Sequence, residues 1–155
     1  MDKKQLVTNV IIPTLKVIPK GYSAEALMAV EMIFAHESRR GHFLKQVNGP
    51  ALGLLNMEPT TYHSTWKHGD SIWNNAVLIG IITEEEKEAG IYPPPEQLLY
   101  DLVLNVFMTR QRLFMKPKKL PRDPMAMTKY LKLFWNSTNG AANPDSYYID
   151  WVFWK

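Results

Sequence analysis

The sequence predicts a mainly α domain, α+β at most, in which a central buried helix is surrounded by shorter ones. Three observations predict it. The run from Ala24 to Ala35 is apolar on almost every face, which suits a helix at the centre of a domain. Asp123-Pro124 and Asn143-Pro144 each read as an N-cap followed by proline at the first helical position. The 11 prolines are scattered as helix punctuation, not gathered in a linker. A chain of 155 residues fits one domain, 1–155, whose single core buries roughly 70% of the surface exposed in the unfolded chain. No internal repeat and no low-complexity tract divides it. There is no cysteine, so disulfides and thiolate metal sites are excluded and stability rests on packing.

Residues 1–20 read as an N-terminal extension with irregular stretches, because Thr8, Asn9 and Pro13 interrupt the apolar run. The same interruptions make it a poor signal peptide. No segment approaches the roughly 20 apolar residues that span a bilayer, so a soluble chain made in the cytoplasm is expected. Ser23 is the expected N-cap of the central helix, which continues to about Gly41 as its C-cap and carries Glu37 in its last turns. Residues 41–57 have room for one small β-hairpin. Pro59 opens a short helix through Trp66, and a second short helix follows Asp70. After Pro93-Pro94-Pro95 a longer helix is expected, with Leu99, Leu102, Val103, Val106 and Arg110 on one stripe and Phe107 beside it. The prolines of residues 116–122 force a loop. Helices over about 124–137 and 144–153 complete the chain.

The segment richest in chemical information is Ala35-His36-Glu37-Ser38, followed after a gap by Gly49-Pro50-Ala51-Leu52-Gly53-Leu54-Leu55-Asn56-Met57-Glu58-Pro59-Thr60. A carboxylate ends an apolar helix, and a turn rich in small residues can bring backbone close to it. By itself the turn reads as a tight loop, because glycine is mostly punctuation. Together, the two segments resemble the core of the lysozyme-like soluble lytic transglycosylases, where a Glu-Ser pair precedes a Gly-Leu-Met-Gln segment ending in Pro-x-Thr. The arrangement is similar to lysozyme-like proteins carried by tailed bacteriophages: Leu44-Lys45-Gln46 and residues 49–59 match their Leu-x-Gln run and their Gly-Pro-Ala-Leu-Gly-Leu before Met-Glu-Pro. Residues 130–140 are similar to their aromatic-rich helix ending in Tyr-Asn-Thr and a Gly turn. The resemblance extends from Ala29 to the C-terminus and is strongest from Glu37 to Thr60.

That resemblance implies a lysozyme-like fold and cleavage of the β-1,4 bond between N-acetylmuramic acid and N-acetylglucosamine in peptidoglycan. It implies Glu37 as general acid, with Ser38, Gly53, Leu55, Asn56, Met57, Glu58, Trp135 and Asn136 about the glycan. The family works with one catalytic Glu, the substrate's own groups replacing a second carboxylate, and needs no cofactor. Partners would be peptidoglycan strands and other proteins of the phage particle. The protein would be made in the host cytoplasm and act at the cell wall. Two positions depart from the family pattern: Asn56 stands where glutamine is usual and is one methylene shorter, and Trp135 stands where tyrosine is usual.

A general acid must hold its proton near neutral pH, above the ordinary Glu value of about 4.3; burial and a helix C-terminus both push Glu37 that way. Hydrolysis and anhydro-sugar formation can both start from this one acid. Glu58 is a tempting second carboxylate, yet next to Pro59 it also reads as a helix-capping residue or a cleft contact. His36-Glu37 begins like a zinc-protease helix, but position 40 is Arg40, His42 falls off that face, and His63 and His68 are badly spaced; no metal is expected. The aromatics from Tyr147 to Trp154 read as a C-terminal helix docking into the core, or as a partner surface. Residues 116–122 read as a solvated loop or a contact for an anionic polymer. The net charge of +3 favours cell-wall glycans bearing acidic peptides, or nucleic acid, without choosing between them. Two other readings follow: a particle protein that keeps the fold but no longer cuts, and, last, a nucleic-acid-binding helical module resting only on residues 116–122 and the charge.

Overall fold

The computed structural model describes residues 1–135 and 145–155, which are mainly helical. Within residues 1–20 only the two ends, 1–2 and 18–20, are irregular: α1 (Lys3–Leu6), a π-helical segment (Val7–Ile11) and α2 (Ile12–Val17) follow one another without a break. Leu6, Ile11, Leu15 and Ile18 are buried in the core, while Thr8 and Asn9 face solvent. The π register explains both the spacing and the proline. Its wider turn carries the apolar face across the five-residue step from Leu6 to Ile11, and the N–H of Ile12 reaches the carbonyl of Val7 just before Pro13, which has no N–H to donate.

The central helix, α3 (Ala24–Glu37), starts where the sequence predicts, with Ser23 Oγ accepting the N–H of Ala26 at 2.9 Å. Ala29, Val30, Met32, Ile33, Phe34 and Ala35 have no solvent exposure; each of the larger side chains contributes roughly 1.5–3 kcal/mol by leaving water. The helix ends at Glu37 and not near Gly41. Ser38 ends it by donating to the Phe34 carbonyl at 2.5 Å and accepting the N–H of Gly41 at 2.8 Å. Arg39 and Arg40 then turn into the left-handed region, at φ 49 and 59°. The hairpin expected within 41–57 is reduced to two single antiparallel bridges, Lys45 with Leu52 and Leu52 with Met57.

Helices α4 (Pro59–Trp66) and α5 (Asp70–Leu78) occupy their predicted places. An unexpected α6 (Glu84–Ala89) follows, closed by reciprocal bonds between Thr83 and Glu86. The long helix expected after the three prolines is cut in two, a 3₁₀ turn (Pro95–Leu99) and α7 (Leu102–Phe114), because Asp101 caps α7 by accepting the N–H of Leu104 at 2.9 Å. Leu99 therefore lies outside α7 and Val103 is exposed, whereas Val106 and Phe107 are buried, together with Leu104 and Met108. Asp123 caps α8 (Pro124–Phe134) as predicted, accepting the N–H of Ala126 at 2.9 Å. The expected end of this helix at 137 and the expected start of the next at Asn143-Pro144 lie outside the described residues. Among those described, α9 (Ser146–Phe153) is the last helix and packs most extensively on α3. No helix among them is long and apolar enough to cross a membrane.

The turn below α3 is held by α7. Asn105, fully buried, accepts the N–H of Leu54 at 2.8 Å and donates to the carbonyls of Leu98 and Asp101 at 2.8 and 2.7 Å. Gly53 permits this approach, since it sits at φ +81° and a Cβ there would collide with the amide oxygen of Asn105. Asn105→Ala leaves a buried N–H and two carbonyls without these bonds. Chemical denaturation is expected to show a loss of about 2–4 kcal/mol, and a loss below 1 kcal/mol would remove the clamp from its place in the fold.

Candidate active site

Glu37, the last residue of α3, is half-buried between α9 and the 51–57 turn. Tyr147 of α9 donates its hydroxyl to Glu37 Oε1 at 2.8 Å. From the other side the amide of Asn56 comes within 3.5 Å of Oε2, a weak contact. Asn56 is brought there by a left-handed backbone at φ 51°, which asparagine tolerates better than most residues. The two hydrogen bonds and the neighbouring His36 favour the carboxylate, but burial outweighs them and holds the Glu37 carboxyl above its usual range.

His36 itself faces α9. Its Nδ1 lies 2.8 Å from Asp150 Oδ2, and its ring centroid is 4.4 Å from that of Tyr147. One turn further back, Glu31 accepts the indole N–H of Trp151 at 2.7 Å and pairs with Lys3 at 3.7 Å. Thus Tyr147, Asp150 and Trp151, at helical spacing on one face of α9, answer Glu37, His36 and Glu31 on α3. Among the described residues no three His, Asp or Glu side chains gather closely enough to hold a metal ion.

Next to Asn56 runs a groove of about 270 Å³ whose polar and aromatic wall includes Glu58, Arg112, Lys116, Phe134 and Trp135. Asn56 is the link, lining the groove on one side and touching Glu37 on the other. The aromatic pair comes from the end of α8, where Trp135 is the C-cap and remains half-exposed. Asn56, Glu58 and Trp135 thus line one groove. Glu58 stands at the N-cap of α4, makes no side-chain capping bond and lines the groove at an exposed position.

Other expected contacts have structural work instead. Ser38 is fully buried with its hydroxyl engaged at the end of α3, so it shapes the turn and offers nothing to a ligand. Gly53 is buried against Asn105. Leu55 and Met57 form the floor of the groove but are almost wholly buried, which leaves them little surface to offer. Asn136 lies outside the described residues. Tyr147, Phe134 and Arg112 were not among the expected site residues. The spacing of Tyr147, Asp150, Trp151 and Trp154 at i, i+3, i+4 and i+7 carries the signal for the inward face of α9.

No family model, curated protein or solved structure matches this chain.

Because its hydrogen bond favours the carboxylate, Tyr147→Phe is expected to move the Glu37 titration, followed by carbon-detected NMR, to higher pH; an unchanged midpoint would mean that Tyr147 does not set the carboxyl's proton affinity. A carboxyl raised in the folded state gives stability that is complete below its ordinary value of 4.5 and is lost as pH rises through the folded value. Glu37→Gln, which cannot ionise, is therefore expected to gain melting temperature relative to the wild type between pH 4 and pH 7. A constant difference across that range would contradict the raised carboxyl.

Proposed function

We propose that this chain is a peptidoglycan-cleaving glycosidase of lysozyme-like architecture in which Glu37 is the general acid. The observation that carries the reading is a single carboxyl, raised by burial and oriented by Tyr147, joined through Asn56 to a groove walled by Trp135. A sugar ring in the groove stacks on Trp135, whose half-exposed face suits the apolar face of a pyranose. The protonated Glu37 gives its proton to the bridging oxygen as the bond to the anomeric carbon breaks, and the leaving sugar departs as a neutral alcohol. Water, or the 6-hydroxyl of the muramic residue, then attacks the electron-poor anomeric carbon and returns a proton to Glu37. Asn56 and Tyr147 hold the carboxyl through both proton positions, and Glu58 is a cleft contact. The family resemblance adds Asn136 to the glycan contacts. The site of action is the bacterial cell wall, reached from a phage particle or from the host cytoplasm where the protein is made.

A second reading, a lysozyme-like particle protein that no longer cuts, is favoured by one observation. On α9 the tryptophans turn inward, but Ile149, Val152 and Phe153 stand in solvent, as does Leu133 on α8. Such an apolar edge suits assembly with other proteins.

Purified wild-type protein and Glu37→Gln, incubated with peptidoglycan and followed by mass spectrometry of released muropeptides, distinguish the two. Release by the wild type is expected, with a loss of about 10²–10⁴-fold in the variant, the usual contribution of a positioned acid. Equal release by both would overturn the role of Glu37. No release from several wall types by the folded wild type would favour the particle protein.

A further inference from the structure

Lys116 belongs to two grooves. On one side it lines the groove of Asn56 and Trp135; on the other it opens a larger one, about 520 Å³, walled by Arg110, Lys118, Lys119 and Arg122. Glu25 is the one carboxylate among the residues lining the larger groove, and Arg122 takes it at 3.2 Å. The guanidinium of Arg110 donates to the carbonyls of Gly21 and Lys20 at 2.8 and 3.2 Å and lies over the Phe114 ring. Those contacts satisfy its donors without cancelling its charge. Among the described residues no carboxylate lies within ion-pairing distance of Arg112, Lys116, Lys118 or Lys119.

These cations are also held in place. Pro117 and Pro121 stiffen the loop, and the hydroxyl of Tyr130 donates to the carbonyl of Lys118 at 2.9 Å, fixing the backbone at its middle. Arg112 and Lys116 share the first groove, where burial pushes both below their usual range and the charge of Arg112 pushes Lys116 further. Glu58 lines the same groove but pairs with neither, and two like charges drawn together are relieved by binding an anion.

We propose that the 116–122 loop binds the carboxylate-bearing peptide stems that branch from a glycan strand lying in the groove of Asn56 and Trp135. This rests on the glycan reading above and names which form of the glycan the site selects. The continuity of the two grooves at Lys116 supports it: a stem attached to a sugar beside Trp135 meets Lys116 first. Four stem residues extended span about 13 Å, enough to pass along the loop toward Lys119 while still joined to that sugar. Carboxylates along the stem then meet ammonium groups of the loop. Nucleic acid is drawn to the same charge and its bases also stack on tryptophan, so DNA is one arm of the test.

The test is binding, not cleavage, measured in the Glu37→Gln protein so that strands stay intact. Fluorescence anisotropy compares soluble glycan strands that carry tetrapeptide stems with the same strands stripped by an amidase. Stem-bearing strands are expected to bind about tenfold more tightly, a margin that several modest ion pairs supply together and that salt reduces. Adding Lys118→Ala and Lys119→Ala, both at exposed positions, is expected to abolish that margin while thermal denaturation shows the fold retained. Equal affinity for both strand types would overturn the stem site and leave the glycan reading standing. Binding to neither would overturn both. Tighter binding to duplex DNA than to stem-bearing strands at the same ionic strength would overturn it in favour of a general polyanion surface.

Discussion

The side-chain amide of Asn105 is buried on α7 and ties together three backbone groups that no regular element would join. With its oxygen on the N–H of Leu54, the 51–57 turn is set at a fixed height against α7, and two residues further on Asn56 comes to the end of α3. A turn left to itself has many conformations of similar energy, and glycine and asparagine, the residues that best accept positive φ, stand at Gly53 and Asn56. The single bridges of Leu52 with Lys45 and Met57 add little rigidity. The position of Asn56 beside Glu37, and with it the link to the groove, therefore depends on a hydrogen-bonded side chain about fifty positions away. This is also why Gly53 tolerates no side chain: the cradle is filled by the clamp itself.

A second organising feature is the seam between α3 and α9. Glu31, His36 and Glu37 all point from an otherwise apolar helix toward α9, and each finds a donor or a charge there. Buried polar groups are costly unless paired, so this seam holds α9 in one register along α3. The seam continues to the chain ends, where the indole of Trp154 donates to the carbonyl of Met1 and Lys3 reaches Glu31. The N-terminal helices are therefore part of the core that supports Glu37. Within the seam, the burial of Glu37 exceeds what its hydrogen bonds return, which raises the proton affinity of its carboxyl.

Charge is distributed in a way that complements this. Arg112 and Lys116 sit on the wall of the groove lined by Asn56, which touches Glu37, and the remaining cations follow in the adjoining groove. A net charge of +3 is modest, and the local arrangement, not the total, carries the information.

What the sequence by itself determined is what local chemistry controls. Ser23, Asp123 and the proline of Pro59 mark helix starts because a capping oxygen or a fixed φ acts within three or four residues, and those starts stand where they were predicted. Thr83 and Glu86 carried an equally local capping signal that went unread. The place of Glu37 at the end of an apolar helix was legible in the same local way; Asn56 and Trp135, which line one groove, were pointed to only by the family resemblance. The tertiary structure decided what depends on distant partners. It placed residues 3–17 in the core through a π register that averaged periodicity hides. It ended α3 at Ser38, separated Leu99 from α7 at Asp101, and buried Ser38, Leu55 and Met57 that the motif had placed around a ligand. It also brought Tyr147 to Glu37 and Arg112 to Trp135. Burial and long-range hydrogen bonds are properties of packed surfaces, and a linear pattern records them only where both partners lie on the same turn.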